Sequence, residues 1–95
     1  MPTRPLTYTD FDKRRGKPFS VHAGGGVVQL VLAEVQDLPG SKREGGAFRL
    51  EFHGPPQPLL GQGTFRFLVG GEPFDIFIVP VGSAPQHMRY EAIFF

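Results

Sequence analysis

The stretch Gly70-Gly71-Glu72-Pro73-Phe74-Asp75-Ile76-Phe77-Ile78-Val79-Pro80-Val81 decides how this chain folds. Its Gly pair turns the backbone, and the residues that follow read as a strand. Strand side chains alternate between faces, so Phe74, Ile76 and Ile78 share one side and Phe77, Val79 and Val81 the other. A strand apolar on both sides is central or covered twice. Pro80 interrupts an otherwise sticky run. The apolar stretch from Ile76 to Val81 is also far shorter than the ~20 residues of a membrane helix.

The same reading extends outward in both directions. Val27 to Val35 repeats the doubling, with Val27 and Val31 set against Val28, Leu30 and Leu32. Phe48, Leu50 and Phe52 alternate with Arg49 and Glu51, and Phe65 and Phe67 with Thr64 and Arg66. Phe19-Ser20-Val21 and Tyr90-Glu91-Ala92-Ile93-Phe94 complete the set. Between them lie Gly24-Gly25-Gly26, Leu38-Pro39-Gly40 and Gly54-Pro55-Pro56-Gln57-Pro58, all turn or loop sequences. About six short strands at near-regular spacing predict an all-β fold, a small antiparallel barrel or compact sandwich. Residues 1–95 read as a single β-barrel-like domain, and no internal repeat is evident.

One segment reads as helix. In Thr9-Asp10-Phe11-Asp12, Thr9 suits the N-cap and the two acids suit the positive first turn. Lys13, Arg14 and Arg15 then suit the C-terminal end, and Gly16 the left-handed residue beyond it. This short N-terminal helix is expected to plug one open end of the barrel, anchored by Phe11.

Composition narrows the function classes. Thirteen Gly and ten Pro approach the level of disordered chains, but 29 Leu, Ile, Val and Phe residues and a net charge of +1 demand a buried core. The absence of Cys excludes disulfides, thiolate zinc sites and a Cys nucleophile. Near-balanced charge gives no bulk attraction to nucleic acid or anionic membrane. The first residues, Met1-Pro2-Thr3-Arg4-Pro5-Leu6, lack the apolar core of a signal peptide, so a cytoplasmic location is expected.

No catalytic signature emerges. The Gly clusters lack the following helix that a phosphate cradle needs. His22, His53 and His87 make a metal site only if distant strand ends converge, and Ser20, Ser41 and Ser83 lack a nucleophile-elbow context. No enzyme activity, cofactor or metal is expected. Positive charge is concentrated in Lys13-Arg14-Arg15-Gly16-Lys17 and Lys42-Arg43. Arg15, Lys17, Arg49 and Arg66 on one face would make a small barrel module for a ligand or single-stranded nucleic acid. The acids Asp10, Asp12, Glu44 and Glu51 dilute that field, which makes nucleic acid the less favoured partner.

The doubled strands point to protein contacts. A small barrel buries one side of each strand, so the other side meets a covering segment or another chain. Phe77, Val79, Ile93 and Phe95 are the interface candidates, in a homo-oligomer or with a protein partner. An apolar terminal strand left as a bare edge also invites pairing.

Leu60-Gly61-Gln62-Gly63-Thr64-Phe65, Phe77-Ile78-Val79-Pro80-Val81 and Tyr90-Glu91-Ala92-Ile93-Phe94, in that order, resemble a family of small bacterial β-rich proteins defined as a domain of unknown function. The resemblance covers nearly the whole chain and departs from the family pattern at Phe65, where Tyr is usual, and at Phe95, where Asn is usual. It carries no catalytic residues. It implies an association with phage tail-collar-like genes, and hence a structural or assembly role.

Overall fold

Two Gly-Gly pairs fold the two longest strands back onto their neighbours. Gly24 and Gly25 (φ 56° and 84°) and Gly70 and Gly71 (φ 57° and 80°) occupy the left-handed region that two-residue hairpins require. The structure, a computed structural model, describes residues 6–40, 46–56, 59–84 and 87–94. Its elements are α1 (Tyr8–Asp12), β1 (Pro18–Ala23), β2 (Gly26–Leu38), β3 (Ala47–Gly54), β4 (Gly63–Val69), β5 (Glu72–Ala84) and β6 (His87–Phe94). The strands run in the ring order β1-β2-β3-β6-β5-β4, every pairing is antiparallel, and β4 closes onto β1. The fold is therefore a closed barrel and not a sandwich. Closure corrects the bare-edge reading of the last strand, because β6 is paired on both sides, to β3 and to β5.

Alternation sorts the side chains as the sequence predicts. Phe19, Val21, Leu30, Leu32, Phe48, Leu50, Phe52, Phe67, Ile76 and Ile78 are fully buried inside. Phe19, Phe52 and Phe67 pack ring against ring, with centroids 5.0–6.2 Å apart. Each long strand carries one bulge, at Leu32/Glu34 in β2 and at Pro80/Gly82 in β5. A bulge shifts the alternation by one residue, which is why Val35 turns inward after Leu32. It also admits Pro80 to a strand interior.

Both barrel mouths are plugged. At one, Phe11 from α1 is fully buried against Phe48, Phe74 and Phe94, with ring centroids 5.3–5.8 Å apart. At the other, Leu60 from the β3–β4 connection is buried, and its backbone N–H donates to the Tyr90 hydroxyl at 3.0 Å. Gly54, also buried, leaves room there, since a Cβ at this position would overlap the Leu30 side chain.

The helix starts two residues earlier than expected. Thr7, not Thr9, is the N-cap: its hydroxyl accepts from the Asp10 N–H, and the Asp10 carboxylate accepts from the Thr7 N–H at 2.8 Å. This reciprocal box satisfies two free donors at once. Asp12 is left to pair with Arg15 at 2.6 Å. The helix ends at Asp12, and the turn to Gly16 (φ 84°) docks on β2 through Gly16 N–H donating to Leu32 C=O at 2.7 Å.

The barrel also contains a repeat that the sequence reading missed. Adding 46 to each β1–β2 partner gives a β4–β5 partner: Phe19↔Leu30 becomes Phe65↔Ile76, and Val21↔Val28 becomes Phe67↔Phe74. Adding 46 on β2 and 40 on β3 turns Leu38↔Ala47 into Ala84↔His87. The two three-stranded meanders are thus related by an approximate twofold axis. It passes between Val21 and Phe67 on one wall and between Glu51 and Glu91 on the other, where equivalent residues pair. Outside pairs and inside pairs correspond alike. The repeat is hidden because identical residues are few, among them Phe19/Phe65, Gly24-Gly25/Gly70-Gly71 and the Arg-x-Glu of Arg49-Leu50-Glu51 and Arg89-Tyr90-Glu91.

Candidate functional site

The outer wall carries a charged cluster on β3 and β6, and exposed apolar side chains on β2, β5 and β6. On β3 and β6 the outward residues are Arg49, Glu51 and His53, beside Arg89, Glu91 and Ile93. Glu51 sits directly across from Glu91 and, although on the outer wall, is only 8% exposed. Cations neutralise this pair. The Arg49 Nε donates to Glu91 Oε2, while Arg49 Nη2 donates to Glu51 Oε1 at 2.9 Å. Arg89 Nη1 lies 3.8 Å from Glu51 Oε1, and Arg49 also reaches Glu34 at 3.8 Å. His53 Nε2 is 2.7 Å from Glu51 Oε2. The His53 contact, followed by Arg49, holds the Glu51 carboxyl below its ordinary pKa against the opposing pull of burial. The bond to Glu91 above all raises Arg49 further above its ordinary value.

The three histidines do not converge. His53 and His87 stack with centroids 4.3 Å apart, whereas His22 lies on β1 opposite Arg66 of β4. Among the described residues no group of three or more His, Asp or Glu is placed to hold a metal ion. Glu51 and His53 form a carboxylate–imidazole pair on the barrel's outer wall.

The four candidate cations are dispersed. Arg49 lies on β3 and Arg66 on β4, three steps apart in a ring of six and so on opposite walls. Arg66 pairs with Asp75 at 3.4 Å, and Arg15 with Asp12 while also donating to Val35 C=O at 3.3 Å. Lys17 lines an open cleft of about 410 Å³ with Arg14, Pro18, Val69, Gly70 and Glu72. There Arg14 is bound to Glu72 at 2.6 Å and lies over the Phe74 ring at 5.3 Å, so its charge is already answered. On opposite walls, Arg49 and Arg66 do not share a face. Lys42 and Arg43 lie outside the described residues.

The apolar candidates fall on neighbouring strands. Phe77 and Val79 project outward from β5 and Ile93 from β6, with Phe77 51% and Ile93 45% exposed. Val81, missed as an interface candidate although its alternation placed it with them, adds a side chain 39% exposed. Phe95 lies outside the described residues. The internal twofold supplies a control for these positions. The bulges fall at different points in β2 and β5, so between them the offset drops to 45: through their partners Glu51 and Glu91, Glu34 corresponds to Val79, and His53 corresponds to Ile93. At these two positions one meander presents a polar side chain where the other presents hydrocarbon, whereas Phe77 corresponds to Val31, which is itself 38% exposed.

Among the described residues no helix is long and apolar enough to cross a membrane. A family model described as a domain of unknown function, DUF6916, matches residues 6–94. No curated protein and no solved structure gives a significant match.

Proposed function

The chain belongs to the DUF6916 family, and for it we propose a non-enzymatic assembly role exercised through protein–protein contacts on the outer face of β5 and β6. The carrying observation is the substitution of Val79 and Ile93 for the equivalent Glu34 and His53. The barrel tolerates polar side chains at these places, so folding alone does not require the hydrocarbon. Exposed aliphatic and aromatic side chains gathered on neighbouring strands are what a partner surface buries. Inside the barrel the Phe, Leu and Ile side chains form one packed cluster. A bacterial phage-tail-like assembly, implied by the family resemblance, is the setting in which we place this role.

Self-association is the form the test addresses. Light scattering from low to high micromolar concentration should show a mass rising above that of one chain. Phe77→Asp with Ile93→Lys should return it to monomer while keeping the β signal in circular dichroism. A wild-type mass fixed at one chain throughout overturns self-association. The alternative is a ligand or single-strand-binding barrel using Arg15, Lys17, Arg49 and Arg66, of which Arg49 and Arg66 lie on opposite walls.

A further inference from the structure

The two walls where the meanders meet have a property that barrel closure does not require. Closure needs only that inward residues face inward, and a slip of two residues at either seam would preserve that pattern. Yet both seams are centred on equivalent residues, Val21↔Phe67 and Glu51↔Glu91. This is the geometry of an isologous interface, in which one surface meets a copy of itself around a twofold. The polar contacts follow the same rule: Arg49 reaches Glu91, and Arg89 lies near Glu51. Each meander is also preceded by a plug, from a helix in one case and a connecting segment in the other. Phe11 precedes β1 and fills one mouth, and Leu60 precedes β4 and fills the other.

We infer that the barrel is an internal dimer: β1-β2-β3 and β4-β5-β6 are two copies of one three-stranded meander, joined by a self-complementary interface. The partner each meander fits is another of its kind, so a meander from a second copy of this chain serves as well as its own. The covalent link between the units only raises their effective concentration. This inference concerns the seams within the wall and does not rest on the outer-face reading.

The test uses the full chain with a specific protease site inserted into the connection between Pro56 and Leu59, cut after folding. The cut protein is expected to keep its β signal and to migrate as one species holding both pieces. Its unfolding midpoint should now fall on dilution, whereas the midpoint of the uncut insertion variant should not. Cut protein carrying heavy isotopes, taken through denaturant and back with light cut protein, should yield mixed heavy–light species in native mass spectrometry. Pieces that separate or precipitate once cut, while the uncut variant stays folded, overturn the inference. So does a refolded mixture that contains no hybrids.

Discussion

Glu51 and Glu91 oppose each other directly across the β3–β6 ladder, with Arg49 bonded to both. Two carboxylates in directly paired positions repel. Here the repulsion is answered by a guanidinium whose planar fork reaches two acceptors at once, which Lys does not reproduce. The charged cluster is therefore a structural clasp on the seam between the meanders.

Arg49→Ala should lower stability by about 1–3 kcal/mol, since it leaves the poorly exposed Glu51 and its opposite number without their shared donor. Arg49→Lys should recover part of that loss. Arg66→Ala, which breaks an exposed pair on the far wall, should stay within about 0.5 kcal/mol of wild type. Urea midpoints on the three variants make the comparison, and equal losses for Arg49→Ala and Arg66→Ala would contradict the clasp.

Acid should loosen the same seam. His53 and Arg49 hold the Glu51 carboxyl below its ordinary pKa in the folded chain, so the unfolded state takes up its proton first as pH falls. Its contribution is fully present above the ordinary value and disappears as pH falls through the depressed one. Between pH 6 and the acid limb, Glu51→Gln should therefore show a shallower decline in thermal midpoint than wild type. Parallel declines would remove Glu51 from the account.

Phe11→Ala should be among the most damaging single changes, costing about 3–5 kcal/mol by emptying one mouth of the barrel. Domains are typically stable by only about 5–15 kcal/mol. Phe77→Ala, on the outer wall, should change the urea midpoint little. If Phe11→Ala is as mild as Phe77→Ala, the helix is not a plug.

Tyr90→Phe isolates one hydrogen bond at the other mouth. Removing the hydroxyl leaves the buried Leu60 N–H without its acceptor, at a cost of about 1–3 kcal/mol with almost no change in packing. Amide exchange at Leu60 should accelerate more than at β3 or β4. Uniform acceleration would show that the bond supports the whole barrel and not the plug.

Alternation alone was enough to sort Phe74, Ile76 and Ile78 from Phe77, Val79 and Val81, and the Gly-Gly pairs were enough to place both hairpins. These features are legible because side-chain direction and turn geometry are local: each depends on a residue and its immediate neighbours. The repeat was legible too, in Phe19/Phe65 and the two Arg-x-Glu triplets, but weakly, because equivalent positions share polarity more often than identity. The helix cap was misplaced by two residues because both Thr7 and Thr9 are followed by an Asp three places on, and only packing chose between them. Closure of β4 onto β1, the placing of Glu51 against Glu91 and the separation of Arg49 from Arg66 belong to tertiary structure. Each depends on register between strands distant along the chain. Register is settled by how whole faces fit around a shared core, and no strand carries that fit in its own pattern.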